Sequence, residues 1–140
     1  MATKKTEELL NEIQFARRVE DFIKKAEFNY SLSEYLTFLL EKHGLERKDV
    51  VKKAAIDTSF GYQIFTGHRK AKRGKLLQIA FAMQLSLEET NQLLRSADVA
   101  SLYVKNRRDA IIYYCLENKY DIHKADELLY EYREEPISGD

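Results

Sequence analysis

The sequence has no tryptophan, one proline, one cysteine and only five glycines in 140 residues. Because proline and glycine interrupt helices, their scarcity favours an all-α fold. The single cysteine, Cys115, excludes an internal disulfide, and its place in an apolar run predicts a buried thiol. No apolar run approaches the roughly 18 residues that cross a membrane, and the N-terminus lacks the apolar core of a secretory signal. We therefore expect a cytoplasmic protein without a membrane segment.

Motifs for catalysis and for metal binding are also missing. His43, His68 and His123 lie far apart, with neither a Cys-x-x-Cys nor a His-Glu-x-x-His spacing, and no glycine-rich loop could cradle a phosphate. Adjacent carboxylates such as Glu88 and Glu89 point in different directions on a helix, which is typical of a solvated face. The sequence therefore predicts no enzyme, no metal site and no cofactor.

The formal net charge is zero, but the charge is unevenly distributed. Residues 44–80 hold nine Lys/Arg and three Asp/Glu, a net of +6, whereas residues 1–43 carry −1 and residues 81–140 carry −5. Local fields rather than net charge attract phosphates, so the central segment is a candidate nucleic-acid surface. A solvated charged face is the alternative interpretation.

The N-terminal segment is predicted to form one helix over residues 4–28. Its apolar residues recur at spacings of three and four, which makes a single stripe that Phe15 and Phe22 widen. The members of the stripe are Leu9, Ile13, Ala16, Val19, Ile23 and Ala26. This helix either packs on the core of its own chain or forms a dimer.

Capping residues predict three short helices in the middle of the chain. Ser31 with Glu34 forms a capping box for the first helix, and Gly44 supplies its left-handed stop. A second helix spans about 46–55, and the third begins at the cap Asp57 and ends at Gly67. The inward residues are predicted to be Val50, Val51, Ala54, Ile56, Phe60, Ile64 and Phe65.

Four further helices are predicted towards the C-terminus. They span about 73–84, 86–95 with a Ser86/Glu89 capping box, 106–118 with Asn106 as its cap, and 121–133, which Asp121 opens. The third of these carries the run 110–116, which is apolar nearly all round and is expected to be central, with a strand as the competing interpretation. The tail 134–140 is expected to fray. Tyrosines gather in this half and predict core or interface packing, with a partner surface as the alternative.

Residues 44–87 resemble the lambda-repressor-like helix-turn-helix of the Xre family. The matching segments are 44–51 (GLERKDVV), 55–59 (AIDTS), 63–70 (QIFTGHRK), 76–80 (LLQIA) and 83–87 (MQLSL). Departures from the family pattern are Ala55, Gly61, Phe65 and Ala71. The resemblance implies a five-helix bundle whose third helix enters the major groove of DNA, usually as a dimer on repeated half-sites. We therefore expect a helix-turn-helix bundle over 31–96, an N-terminal helix over 1–30, and a helical extension over 97–140 that packs on the bundle or dimerises.

The first exposed turns of a recognition helix read base edges. Here these turns hold Thr58, Ser59, Tyr62 and Gln63, of which Gln63 can pair with adenine through two hydrogen bonds. Arg47 matches a family position that touches the DNA backbone. The complete predicted phosphate set is Arg47, Thr66, His68, Arg69, Lys70, Lys72 and Arg73.

The sequence thus predicts a sequence-specific, DNA-binding transcriptional regulator whose partners are double-stranded DNA and a second copy of the chain. The alternative is a protein-interaction adaptor, or an antitoxin-like partner built on a degenerate helix-turn-helix. Such an adaptor would use the acidic, tyrosine-rich C-terminal half to bind its partner.

Overall fold

The computed structural model describes residues 5–19 and 30–139. Within these residues the secondary structure is entirely helical, which confirms the all-α prediction. The helices are α1 Thr6–Phe15, α2 Leu32–His43, α3 Arg47–Lys53, α4 Thr58–Thr66, α5 Arg73–Met83, α6 Leu87–Ser96, α7 Arg107–Glu117 and α8 Ile122–Glu131. No helix in the described ranges is both long enough and apolar enough to cross a membrane. The chain divides into two units, Met1–Tyr30 and Ser31–Asp140.

In the first unit, the prediction of one continuous helix over residues 4–28 is wrong. Helix α1 ends at Phe15, and Ala16 is extended, with φ −75° and ψ 136°. No residue of α1 is buried. The predicted stripe residues Ile23 and Ala26, together with Phe22 and the predicted end of the helix, lie outside the described residues.

The helix ends of the second unit follow the local chemistry of the sequence. The Ser31 hydroxyl accepts from the backbone N–H of Glu34, whose carboxylate accepts from the N–H of Ser31 in return. Gly44 and Gly67 end α2 and α4 with φ of 62° and 84°. The other predicted caps, Asp57, Ser86, Asn106 and Asp121, each accept from an N–H three residues later. These predictions are confirmed.

The second capping box also joins α6 to α2. One carboxylate oxygen of Glu89 caps Ser86, and the other accepts from the Lys42 ammonium and pairs with the His43 ring, each at 2.9 Å. Burial alone would raise the pKa of Glu89, but the hydrogen bonds from Lys42, His43 and Ser86 outweigh it and lower this pKa to about 2. The ionised carboxylate therefore stabilises the contact between the two helices.

Helix α5 lies at the centre of the second unit. Gly74 and every residue from Leu76 to Met83 are buried, so this helix is covered on all sides. The prediction that the helix over 106–118 is central is wrong. Helix α7 buries Ile112 and Leu116 on one side while Tyr114 is 55% exposed, because a tyrosine can keep its ring partly in water. The run 110–116 is helical, which removes the strand alternative.

Two details of the C-terminal region bear on earlier predictions. Cys115 is buried, as predicted, and burial raises the pKa of its thiol to about 11. The prediction that the tail over 134–140 frays is wrong for its described residues, because Ile137 is fully buried. The Ile137 N–H donates to Asp126 at 2.7 Å, and the Arg108 guanidinium donates to the two carbonyls that precede Ile137.

Candidate nucleic-acid interface

Helix α4 presents one polar face and buries the other. Ile64 and Phe65 are buried, whereas Thr58 and Ser59 are exposed and Gln63 is partly exposed. The sequence prediction also placed Phe60 inward, but the structure leaves it only partly covered. The predicted base-reading residues Thr58, Ser59 and Gln63 therefore share an accessible surface.

Gly61 sets how closely α4 packs on α3. A Cβ atom at this position would lie 2.5 Å from Cγ1 and 2.9 Å from Cγ2 of Val51, which is far inside van der Waals contact. Gly61 and Val51 are both buried. The departure from the family pattern at Gly61 thus has a packing reason, because only a residue without a side chain allows this approach.

A hydrogen bond from α5 stabilises the turn between α3 and α4. Ala55 has a left-handed φ of 58°, and the following Ile56 is buried, as predicted. The buried side-chain amide of Gln78 donates to the carbonyl of Ala54 at 2.8 Å, while its oxygen accepts from Lys75. Gln78 therefore fixes the end of α3, where the turn to α4 begins, a role that sequence reasoning missed. The available signal was a polar residue inside the apolar run of α5.

Two arginines stack on aromatic rings beside α4. The Arg47 guanidinium lies 4.6 Å from the ring centre of Tyr62, and that of Arg69 lies 5.1 Å from the ring centre of Phe60. Both arginines are exposed. Cation–π contacts of this kind hold a flexible guanidinium in a narrow range of positions. Tyr62, predicted to read bases, thus has one ring face covered by Arg47.

The basic loop that follows α4 turns back onto the end of the helix. The N–H groups of His68 and Arg69 both donate to the carbonyl of Gln63, and the Thr66 hydroxyl lies 2.8 Å from the His68 ring. The side chains of Lys70 and Lys72 are exposed, and neither side chain forms a hydrogen bond or an ion pair in the part of the chain that the structure describes. Among those residues, no carboxylate is therefore paired with either ammonium.

Arg73, predicted to contact phosphate, is occupied within the protein. Its guanidinium donates to both carboxylate oxygens of Asp109, at 2.9 and 2.8 Å, and also to the carbonyls of Ala100 and Ser101. Asp109 is buried and accepts in addition from the N–H of Tyr103. We therefore assign Arg73 to structural support rather than to phosphate binding. Asp109 was missed because nothing local in the sequence relates it to Arg73.

A cleft of about 600 Å³ lies between the basic loop and the start of α2. Its lining includes His68, Arg69 and Lys70 of the loop, Ser31 and Ser33 at the start of α2, and Asp98. The positive end of a helix macrodipole lies at its N-terminus, so α2 adds to the field of the loop cations, whereas the Asp98 carboxylate opposes it.

In the described residues no group of three or more His, Cys, Asp or Glu side chains could hold a metal ion. Comparison of the chain with models of protein families, with curated proteins and with solved structures finds no match. The assignment of function therefore depends on the chemistry of the α4 surface and its surrounding cations.

Proposed function

We propose that the helices α2 to α6 form a lambda-repressor-like helix-turn-helix and that the protein is a sequence-specific, DNA-binding transcriptional regulator. The observation that carries this proposal is the polar face of α4, flanked by Arg47 and Arg69, each stacked on an aromatic ring. A helix that presents hydrogen-bonding side chains between cations matches what the major groove and its phosphates require.

Base reading falls to the first two exposed turns of α4. Gln63 can donate to N7 and accept from N6 of adenine, and Thr58 and Ser59 can donate or accept. The Thr58 methyl group also fits against a thymine methyl. Tyr62 contributes from the edge of this surface, since Arg47 covers one face of its ring.

Phosphate binding falls to the cations on either side of that face. Arg47 stands at the start of α3, and Arg69, Lys70 and Lys72 follow α4, so the two groups flank the helix. Each is exposed and long enough to reach a phosphate oxygen. Thr66 and His68 hydrogen-bond one another and contribute secondary contacts to the phosphates. Arg73 is not assigned to phosphate binding, because its guanidinium is bound to Asp109.

A single helix of this length reads only a few base pairs. Specific recognition of a longer operator therefore requires two copies on half-sites about one turn of DNA apart. This requirement is the physical reason for proposing a dimer.

The test is fluorescence-anisotropy binding of a labelled random-sequence duplex over a series of salt concentrations. We expect the logarithm of the binding constant to fall steeply with that of the salt concentration, by about 0.9 per phosphate contact. The Arg69→Ala/Lys70→Ala protein should lose affinity and reduce the slope by about two. After an operator has been selected from random sequences, Gln63→Ala should lose discrimination of about 1–3 kcal/mol at one adenine.

The matched control removes the same charge elsewhere. Lys119 donates to the carbonyl of Gln84, beyond the C-terminal end of α5, and Lys124 lies nearby in α8. That end of α5 is roughly 16 Å from Arg73, given about 1.5 Å per residue. Lys119→Ala/Lys124→Ala should bind DNA like the wild type. Equal losses in both double variants, or no binding at low salt, would contradict the proposal.

A further inference from the structure

A second surface lies on the C-terminal hairpin of α7 and α8, away from the residues proposed to bind DNA. A groove of about 610 Å³ runs between the two helices. We call it the tyrosine groove, and its walls are Ile111, Tyr114, Tyr120, Leu128 and Tyr132. Tyr114 and Tyr132 are 55% and 48% exposed. Large apolar side chains left open together on a surface are typical of an interaction site.

The tyrosine groove carries a cation near each end. The Arg107 guanidinium lies 5.9 Å from the ring centre of Tyr132, and the Lys124 ammonium lies 6.0 Å from that of Tyr120. The two helices form an antiparallel hairpin, so these pairs lie at opposite ends. No carboxylate is among the described lining residues, and neither cation forms an ion pair in the described part of the chain. The lining of the groove thus carries two cations and no carboxylate, within a segment whose net charge is −5.

The spacing of the cations sets the length of an occupant. Arg107 and Tyr114 stand about two turns apart on α7, which corresponds to about 10 Å along the helix axis. Lys124 is near the level of Tyr114, because the Tyr120 ring beneath it packs edge-on against Tyr114 at 6.1 Å. An occupant should therefore place two negative charges roughly 10 Å apart, on either side of an apolar surface.

Charge and shape select among the occupants. A second copy docked through the same face would bring Arg107 and Lys124 towards the like charges of its partner, which is unfavourable. A small ligand is normally enclosed over most of its surface, whereas the walls of this groove are half open to water. An amphipathic helix laid in a groove fits both the openness and the length.

We propose that the tyrosine groove binds an acidic amphipathic helix of a protein partner. The apolar stripe of that helix, at spacings of three, four and seven, packs against Ile111, Tyr114 and Leu128. Carboxylates near the two ends of its stripe pair with Arg107 and Lys124. This site is independent of the α4 surface, and its occupant need not compete with DNA.

The test uses a synthetic helical peptide about four turns long, with a leucine stripe and a glutamate beside each end of the stripe. Its binding is measured by fluorescence anisotropy, with a dissociation constant expected on the order of 10–100 µM. The Arg107→Glu/Lys124→Glu protein should bind it at least about tenfold more weakly. The same variant should instead bind a peptide in which lysines replace the glutamates. Both substitutions lie in the first turn of a helix, where glutamate is well tolerated.

Restored binding of the lysine peptide would show that the variant is folded and that charge pairing selects the occupant. Equal binding of both peptides by the wild type, or binding of neither, would overturn the proposal. A wild-type dimer in sedimentation that Tyr114→Ala disrupts would identify a second copy as the occupant and would also overturn the proposal. The Arg69→Ala/Lys70→Ala protein should bind the glutamate peptide like the wild type. Failure of the DNA-binding proposal and failure of the peptide-binding proposal can therefore be distinguished.

Discussion

Adding one methyl group at Gly61 tests whether the close contact of α3 and α4 is required for stability. The new Cβ atom would lie 2.5 and 2.9 Å from the two γ-carbons of Val51. Val51 is buried in a helix, and its β-branched side chain has one strongly preferred rotamer, so it cannot turn aside. The two helices must therefore move apart to accommodate Gly61→Ala.

The expected effect is the difference between two opposing terms. Alanine favours a helix over glycine by about 0.5–1 kcal/mol. Overpacking of a tight contact costs about 1–3 kcal/mol. The net result should be a loss of up to about 2.5 kcal/mol in the free energy of unfolding, measured by urea denaturation with circular dichroism.

The Val51→Ala background supplies the matched control. Without the γ-carbons the nearest atom to the added methyl group is the Cβ of residue 51 at 3.3 Å, so Gly61→Ala should there raise the free energy of unfolding by up to about 1 kcal/mol. The two substitutions should thus be strongly non-additive. If Gly61→Ala has the same effect in both backgrounds, or stabilises the wild type, the packing argument is refuted.

Three further perturbations probe other parts of the second unit. Ala55→Gly should stabilise the protein by up to about 1 kcal/mol, because the left-handed φ of 58° strains an L-residue. The urea midpoint should rise accordingly, and an unchanged midpoint would contradict the strain. Asp109→Asn should cost about 2–3 kcal/mol, since the Arg73 guanidinium loses its charged partner in a part-buried site; a loss near zero in thermal unfolding would exclude this. The low pKa of Glu89 predicts a stabilising contribution that is present above about pH 4.5 and lost as the pH falls towards about 2, roughly 1–3 kcal/mol in total. Glu89→Gln should flatten this part of the pH dependence of urea unfolding, and an unchanged profile would assign it to other groups.

Features that depend on neighbouring residues could be predicted from the sequence. The Ser31 capping box and the left-handed Gly67 each arise within one or two helical turns, so their residues carry the whole signal. The inward residues of α3 and the buried Cys115 also follow from apolar spacing and residue type.

Features that depend on distant parts of the chain could not be predicted from the sequence. The all-round burial of α5 is set by how many other helices cover it, and hydrophobic spacing alone does not reveal that number. The stacking of Arg47 on Tyr62 and the burial of Ile137 likewise join residues whose proximity arises only in the fold. The composition of α7 led to the wrong prediction that this helix is central for a related reason, because an exposed tyrosine and a buried isoleucine count alike as apolar.

The bonds of Arg73 have a consequence for how this protein can be divided. A fragment ending at residue 96 would retain the whole α4 surface but lose Asp109 and the carbonyls of Ala100 and Ser101. Its Arg73 guanidinium would then have none of these acceptors at the position where the basic loop joins α5. We therefore expect that residues 31–96 do not form an independent domain. A fusion that carries the candidate DNA-binding surface into another protein must also include the segment beyond residue 96.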